Sequence, residues 1–175
     1  MSYGNEFGGK ITFKSNQIKS MSINQLNLNT EHLNNSPKIN KAALQLQALI
    51  EILNQREISN SILLKINAEI AEINTSDKVG NSLLRLIKNK QSIITKLLEK
   101  ELKLVPINYY RNLWLVLGMS AFGLPIGVAF GLSIGNIALL GIGLPIGLGI
   151  GASLGSIMDK KAKNEGRQLN IELKY

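Results

Sequence analysis

Residues 112–158 carry no charge, although charged residues are frequent on both sides. An apolar run of about 18 residues or more is a candidate membrane span, and about 20 residues cross the hydrocarbon core. This run is long enough for two. Gly135 and Asn136 put a turn former next to a side-chain amide, which divides the run into spans 113–134 and 137–158. Each would be about 33 Å long as a helix, against a core of about 30 Å. The other reading of such a run is a buried helical hairpin in a globular core. A core helix in water shows a polar face, and neither half does.

Upstream the pattern is amphipathic. Ser36 and Pro37 form a helix start, with serine as cap and proline at the first helical position. Ile39, Ala42, Leu46, Leu49, Ile50 and Leu53 follow at helical spacing. Residues 54–61 are a polar interruption, after which Ile62, Leu63, Ile66, Ile70 and Ile73 resume the stripe. Two helices or one bent helix satisfy this spacing; a nearly continuous arm is the expectation. Residues 74–77 read as a turn and a cap for the next helix. That helix carries Leu83, Leu84, Ile87, Ile94, Leu97, Leu98 and Leu102, and ends before Pro106. A short loop between two amphipathic helices predicts an antiparallel helical hairpin, with narrow stripes like a coiled-coil seam. The expected fold is therefore all-α: a helical-hairpin stalk over 36–105, then a glycine-rich transmembrane hairpin over 106–158. Residues 1–35 are polar, which predicts disorder or a short β segment such as 10–14, where Ile11 and Phe13 alternate with polar residues. Residues 159–167 continue the second span as a charged helix that Gly166 ends. Leu169, Ile171 and Leu173 alternate with polar residues, as in a short strand or a frayed tail.

Within the apolar run stand two glycine ladders at four-residue spacing: Gly123, Gly127, Gly131 and Gly135, then Gly143, Gly147, Gly151 and Gly155. Helices in lipid gain no hydrophobic energy by associating, and small residues permit the close backbone contact that holds them together. The ladders predict a helix–helix contact surface, within the hairpin or between chains of a homo-oligomer. Gly118 and Gly149 lie off both ladders. Pro125 and Pro145 fall at similar depth on either side of the turn. Each predicts a helix kink and one freed carbonyl, at Ala121 and Gly141.

The net charge is +8, and basic residues flank the spans. Arg111 precedes them; Lys160, Lys161, Lys163 and Arg167 follow. The positive-inside rule places both ends in the cytoplasm and makes 159–175 a basic cytoplasmic tail. Charges this close to the spans suit anionic lipid headgroups. Without an arginine-rich run or interleaved aromatics, they disfavour nucleic-acid binding. Tyr109, Tyr110, Arg111 and Trp114, with Lys160 and Lys161, form the expected belt at the membrane surface. The first ten residues are polar, so no secretory signal is expected there.

The sequence offers no catalytic constellation. It has no cysteine and one histidine, His32, without a metal-ligand partner. Glu69 with Glu72, and Glu99 with Glu101, read as solvated helix faces. The glycine motifs lack the Gly-Lys-Ser/Thr of a phosphate loop. The expectation is a non-enzymatic protein that needs no cofactor. The repeated GLPIG, the ladders and the ending MDKKAKNEGRQL resemble small glycine-zipper two-span membrane proteins of bacteria, over residues 113–169. That resemblance implies a two-span segment in a bacterial inner membrane. Two functions follow as expectations. One is a self-associating membrane anchor that presents a cytoplasmic stalk, with or without a protein partner on the stalk. The other is a pore former or membrane-active effector.

Overall fold

The computed structural model describes residues 22–28, 36–136, 138 and 140–173. Of the segment 1–35 expected to be disordered or a short β segment, residues 1–21 and 29–35, with the 10–14 strand and His32, lie outside the described residues. The chain is mostly helical. Helix α1 is Pro37–Asn54, α2 is Asn60–Asn74 and α3 is Gly80–Leu102. A short strand β1, Val105–Ile107, leads into α4, Tyr109–Gly118. A π turn at Met119–Gly123 joins α4 to α5, Leu124–Ile134. Helix α6 is Leu140–Asn164, and strand β2 is Gln168–Glu172.

The nearly continuous arm expected over 37–74 is not what forms. The chain leaves helix at residues 55–59, α1 and α2 both pack on α3, and the stalk is a three-helix bundle rather than a two-helix hairpin. A single arm of that length would run about 57 Å against about 35 Å for α3, leaving the end of its apolar stripe uncovered. Folding back at 55–59 lets one helix cover both halves. Leu46, Leu49, Ile66, Ile70, Ile87 and Leu98 have essentially no exposure. Each such side chain contributes about 1.5–3 kcal/mol by leaving water. The cap of α3 also differs from the expected one. Ser76 accepts a bond from the Lys78 amide, and the helix starts later, with Val79 in the cap position.

Two extended segments complete this core. Residues 22–28, part of the polar segment expected to be disordered or a short β segment, run beside α2. The amide nitrogens of Ile23, Asn24 and Asn27 donate to the side-chain oxygens of Asn54, Asn67 and Asn74. Asn67 and Asn74 return bonds to the carbonyls of Ser22 and Gln25. Ile23 starts at the C-terminal end of α1, while Leu26 and Leu28 meet Asn40 and Ala43 near its beginning. The segment thus runs with α2 and against α1, so the two helices are antiparallel. Ile23 is buried in the core between them.

The second segment is β2 with Leu173. Leu169 and Leu173 are buried in the same core, and the Gln45 side chain donates to the carbonyl of Glu172. The tail is therefore an ordered part of the bundle rather than a free basic extension. Strand β2 pairs in parallel with β1, Val105 opposite Gln168 and Ile107 opposite Glu172, with an irregularity between. The chain entering the apolar helices is bonded directly to the chain leaving them.

Candidate membrane-embedded helix pair and its junction

Two helical stretches, Tyr109–Ile134 and Gly141–Asn164, are long and apolar enough to cross a membrane. They reach about 39 Å and 36 Å. The first begins before residue 113, and the second helix runs past Met158 through the charged segment to Asn164. The chain turns at Gly135, whose φ of 69° is left-handed and which closes α5 through bonds to Gly131 and Leu132.

The two stretches pack antiparallel on each other, and glycine makes the contact. Between residues 115 and 157, the buried residues among those described are Gly118, Gly123, Gly127, Gly131, Gly143, Gly147, Gly151 and Gly155. A Cβ built on Gly147 would lie 2.5 Å from the Gly118 carbonyl oxygen and 2.7 Å from Gly123 Cα. One on Gly143 would overlap the backbone of Gly123 and Gly127. One on Gly151 would overlap Trp114 and Gly118, and one on Gly155 would sit 2.5 Å from Arg111 Cα. The backbones touch where any side chain would hold them apart.

Two glycines depart from their expected places. Gly135 faces open space and serves the turn instead of the contact. Gly118, expected off the ladder, sits at its centre: a Cβ there would collide with Gly147 and lie 2.8 Å from Gly151 Cα. Gly149 has nothing nearby. The five-residue step from Gly118 to Gly123 would swing an α-helical stripe about 140° off line. The π turn at Met119–Gly123 takes up the extra residue and returns Gly123 to the face of Gly118. It also widens the backbone directly before Pro125, which stands in the first turn of α5. Helix α6 continues through Pro145.

Apart from the glycines this pair wears its large apolar side chains outward. Val116, Leu132, Ile134 and Ile157 are each more than 60% exposed, and Phe122, Leu124 and Phe130 are exposed too. Two serine hydroxyls turn inward on their own helices: Ser120 donates to Val116 and Leu117, Ser153 to Gly149.

The junction with the bundle is built differently from the expected belt. Tyr110 is 8% exposed and packs with Val105 and Ala162, beside Tyr109, Trp114 and Met158. Its hydroxyl donates to Glu99, 3.3 Å away, so Tyr110 ties α4 to the bundle. Tyr109 meets it edge to face, with ring centroids 5.2 Å apart. Arg111, Lys160 and Lys161 are exposed, and Trp114 is half-buried. Asp159, which the sequence presents as one more charge in a charged helix, is buried; its two carboxylate oxygens accept from the amides of Tyr110 and Arg111 at 3.0 and 2.9 Å. It caps the first turn of α4 from the opposite helix and sits at the positive end of that helix dipole. Arg167 donates to the Lys103 carbonyl and to Glu165, whose hydrogen bond pushes the guanidinium pKa up.

The carboxylate pairs read as solvated faces have partners. Glu69 and Glu72 both hold the Lys90 ammonium, at 2.8 and 2.5 Å. Lys90 is only 8% exposed. Burial alone would lower its pKa, but the hydrogen bonds and charges of the two carboxylates outweigh burial and raise it. Gln91 beside it is fully buried, with neither side-chain atom hydrogen-bonded. Among the described residues no cluster of histidine and carboxylate side chains could hold a metal ion. Compared with protein-family models, curated proteins and solved structures, the chain gives no match.

Proposed function

We propose that this chain is a non-enzymatic, two-span protein of a bacterial inner membrane, which anchors a helical bundle on the cytoplasmic side. One observation carries the reading: a helix pair whose interior is glycine backbone and whose outside is large apolar side chains. Water does not tolerate a continuous apolar surface of that extent, whereas lipid makes it the favoured one. Such a pair matches the close packing by which helices associate in lipid. The direct pairing of β1 with β2 supports two crossings, since both ends of the pair return to the same bundle. The exposed Arg111, Lys160, Lys161 and Lys163 at that end favour the cytoplasm and contact with anionic headgroups.

Self-association belongs to this proposal in a narrower form than the ladders implied. The glycine faces are occupied by each other within one chain. A homo-oligomer, and any protein partner, therefore use the exposed apolar faces or the bundle. The pore reading gains no support from the helix surfaces, where the hydroxyls of Ser120 and Ser153 bond to their own backbone.

Topology is the test. Cysteine at Asn136, the tip of the helix pair, is expected to react with an impermeant thiol reagent in cells whose outer membrane is opened. Cysteine at Asp77, the far end of the bundle, is expected to react only after lysis. Labelling of both from outside, or of neither, rules out the two-span anchor. Release of dye from liposomes by the purified chain would replace the anchor with the pore.

A further inference from the structure

Where the bundle meets the helix pair there is a cavity of about 620 Å³ between α3, α4 and the end of β2. Its walls are of two kinds. Ser92 and Lys96 face it from α3, and Glu172 from β2. Asn112, Leu113 and Val116 face it from the first two turns of α4. Tyr109 and Leu173 complete the lining, so the charged groups stand at the bundle side and apolar groups continue along α4 from Leu113 to Val116.

Lys96 is exposed and forms no ion pair with a described residue. Arg85, Lys88 and Lys100 fall on the same face of α3 as Lys96 by helical spacing, so Lys96 belongs to a basic stripe. The Glu172 carboxylate accepts from the Asn108 side chain at 3.1 Å and is held at the rim. Leu113 is 45% exposed and Val116 is 64% exposed, so the apolar wall of the cavity runs without a break into the outer surface of the helix pair.

We propose that this cavity binds one anionic phospholipid of the phosphatidylglycerol type. The inference rests on the membrane reading above, because it places the start of α4 at the level of the headgroups. The occupant follows from the walls. A phosphate meets the Lys96 ammonium, the Ser92 hydroxyl and the Asn112 amide, all donors. The glycerol hydroxyls of the headgroup donate to Glu172, which would repel a second negative charge. An acyl chain lies along Leu113 and Val116. A soluble phosphorylated metabolite would use the polar half and leave the apolar wall in contact with water; a choline headgroup offers Glu172 a charge but no hydrogen-bond donor, and brings no net negative charge to the basic stripe.

The test is native mass spectrometry of the full chain in detergent, titrated with phosphatidylglycerol and with phosphatidylcholine of the same acyl chains. The parent is expected to retain phosphatidylglycerol about fivefold better, the effect of one basic side chain at an anionic surface. Lys96→Gln is expected to remove that preference and Lys96→Arg to keep it. Arg85→Gln, on the same stripe outside the cavity, is expected to leave it intact. Circular dichroism confirms that each variant is folded. Equal retention of both lipids by the parent, or an unchanged preference in Lys96→Gln, overturns the site. Displacement of the lipid by inorganic phosphate overturns it in favour of a free-anion site. Alkaline extraction of the parent from membranes separates the two levels. A chain that alkali releases refutes the membrane reading and the site with it, whereas an alkali-resistant chain without lipid preference refutes the site alone.

Discussion

At the contact between the two apolar helices the packing unit is the backbone itself, and the substitution of a single hydrogen is felt. Gly147→Leu and Gly118→Leu are expected to open the pair, because each places a side chain against carbonyl oxygens and Cα atoms that cannot rotate away. A misfit of this kind costs at least about 1–3 kcal/mol. Gly149→Leu, with open space around it, is expected to change nothing. Protease resistance of the helix pair in detergent, compared across the three variants, checks this; equal resistance in Gly118→Leu and Gly149→Leu would remove Gly118 from the contact. Seven of the eight buried glycines stood out in the sequence at four-residue steps. Gly118 did not, because it stands one residue too far from Gly123 and only the π turn brings it into line. An off-by-one step next to a proline is the signal that could have shown it. Asp159 left no such signal: a capping carboxylate on a different helix looks, in sequence, like any charge that follows a span.

At the scale of the element, helices were legible and only some of their partners were. The apolar stripes of α1, α2 and α3 follow from spacing alone, since a helix must turn one face inward. Spacing does not say which neighbour covers that face, so the fold-back at 55–59 was hidden within a correctly placed interruption. Strand β2 showed its alternation at Leu169, Ile171 and Leu173, but β1 and the pairing of the two did not show. Val105–Ile107 is too short to show alternation, and its partner stands at the other end of the apolar run. Lys90 shows the same limit, because periodicity places it beside the core and only the fold brings Glu69 and Glu72 to it. Its raised pKa has a direct consequence. The folded state holds the protonated amine more tightly than the unfolded chain does. The resulting stability is complete below the ordinary value of 10.5 and is lost as pH rises through the higher folded value. Lys90→Met is expected to be less stable than the parent at neutral pH. The gap should close in strong alkali, as read by urea unfolding followed through helical circular dichroism. A gap that does not vary with pH would show that the ammonium charge is not what Glu69 and Glu72 stabilise.

At the scale of the whole molecule, bundle and helix pair are joined through the β1–β2 pairing and through Tyr110 on Glu99, while Asp159 on the amides of α4 locks the two apolar helices to each other at that junction. Leu169, without exposure, belongs to the bundle core although its place in the chain is beyond both apolar helices. Leu169→Ala is expected to cost the bundle about 2–5 kcal/mol. Urea unfolding of the bundle in detergent is the measurement, with alkali-resistant membrane association expected to persist. A bundle unaffected by the change would mean that β2 is laid on a core already complete without it.

The pairing of β1 with β2 also fixes an order of events during synthesis. A ribosome makes α1, α2 and α3 first, but Leu169 and Leu173 emerge only after both apolar helices have been made. The two long apolar helices are thus already made while the bundle still lacks part of its core. Translation that stops within the apolar run leaves a product whose bundle stays open, recognisable to proteases. Completion of the bundle therefore reports that the apolar helix pair has been made in full.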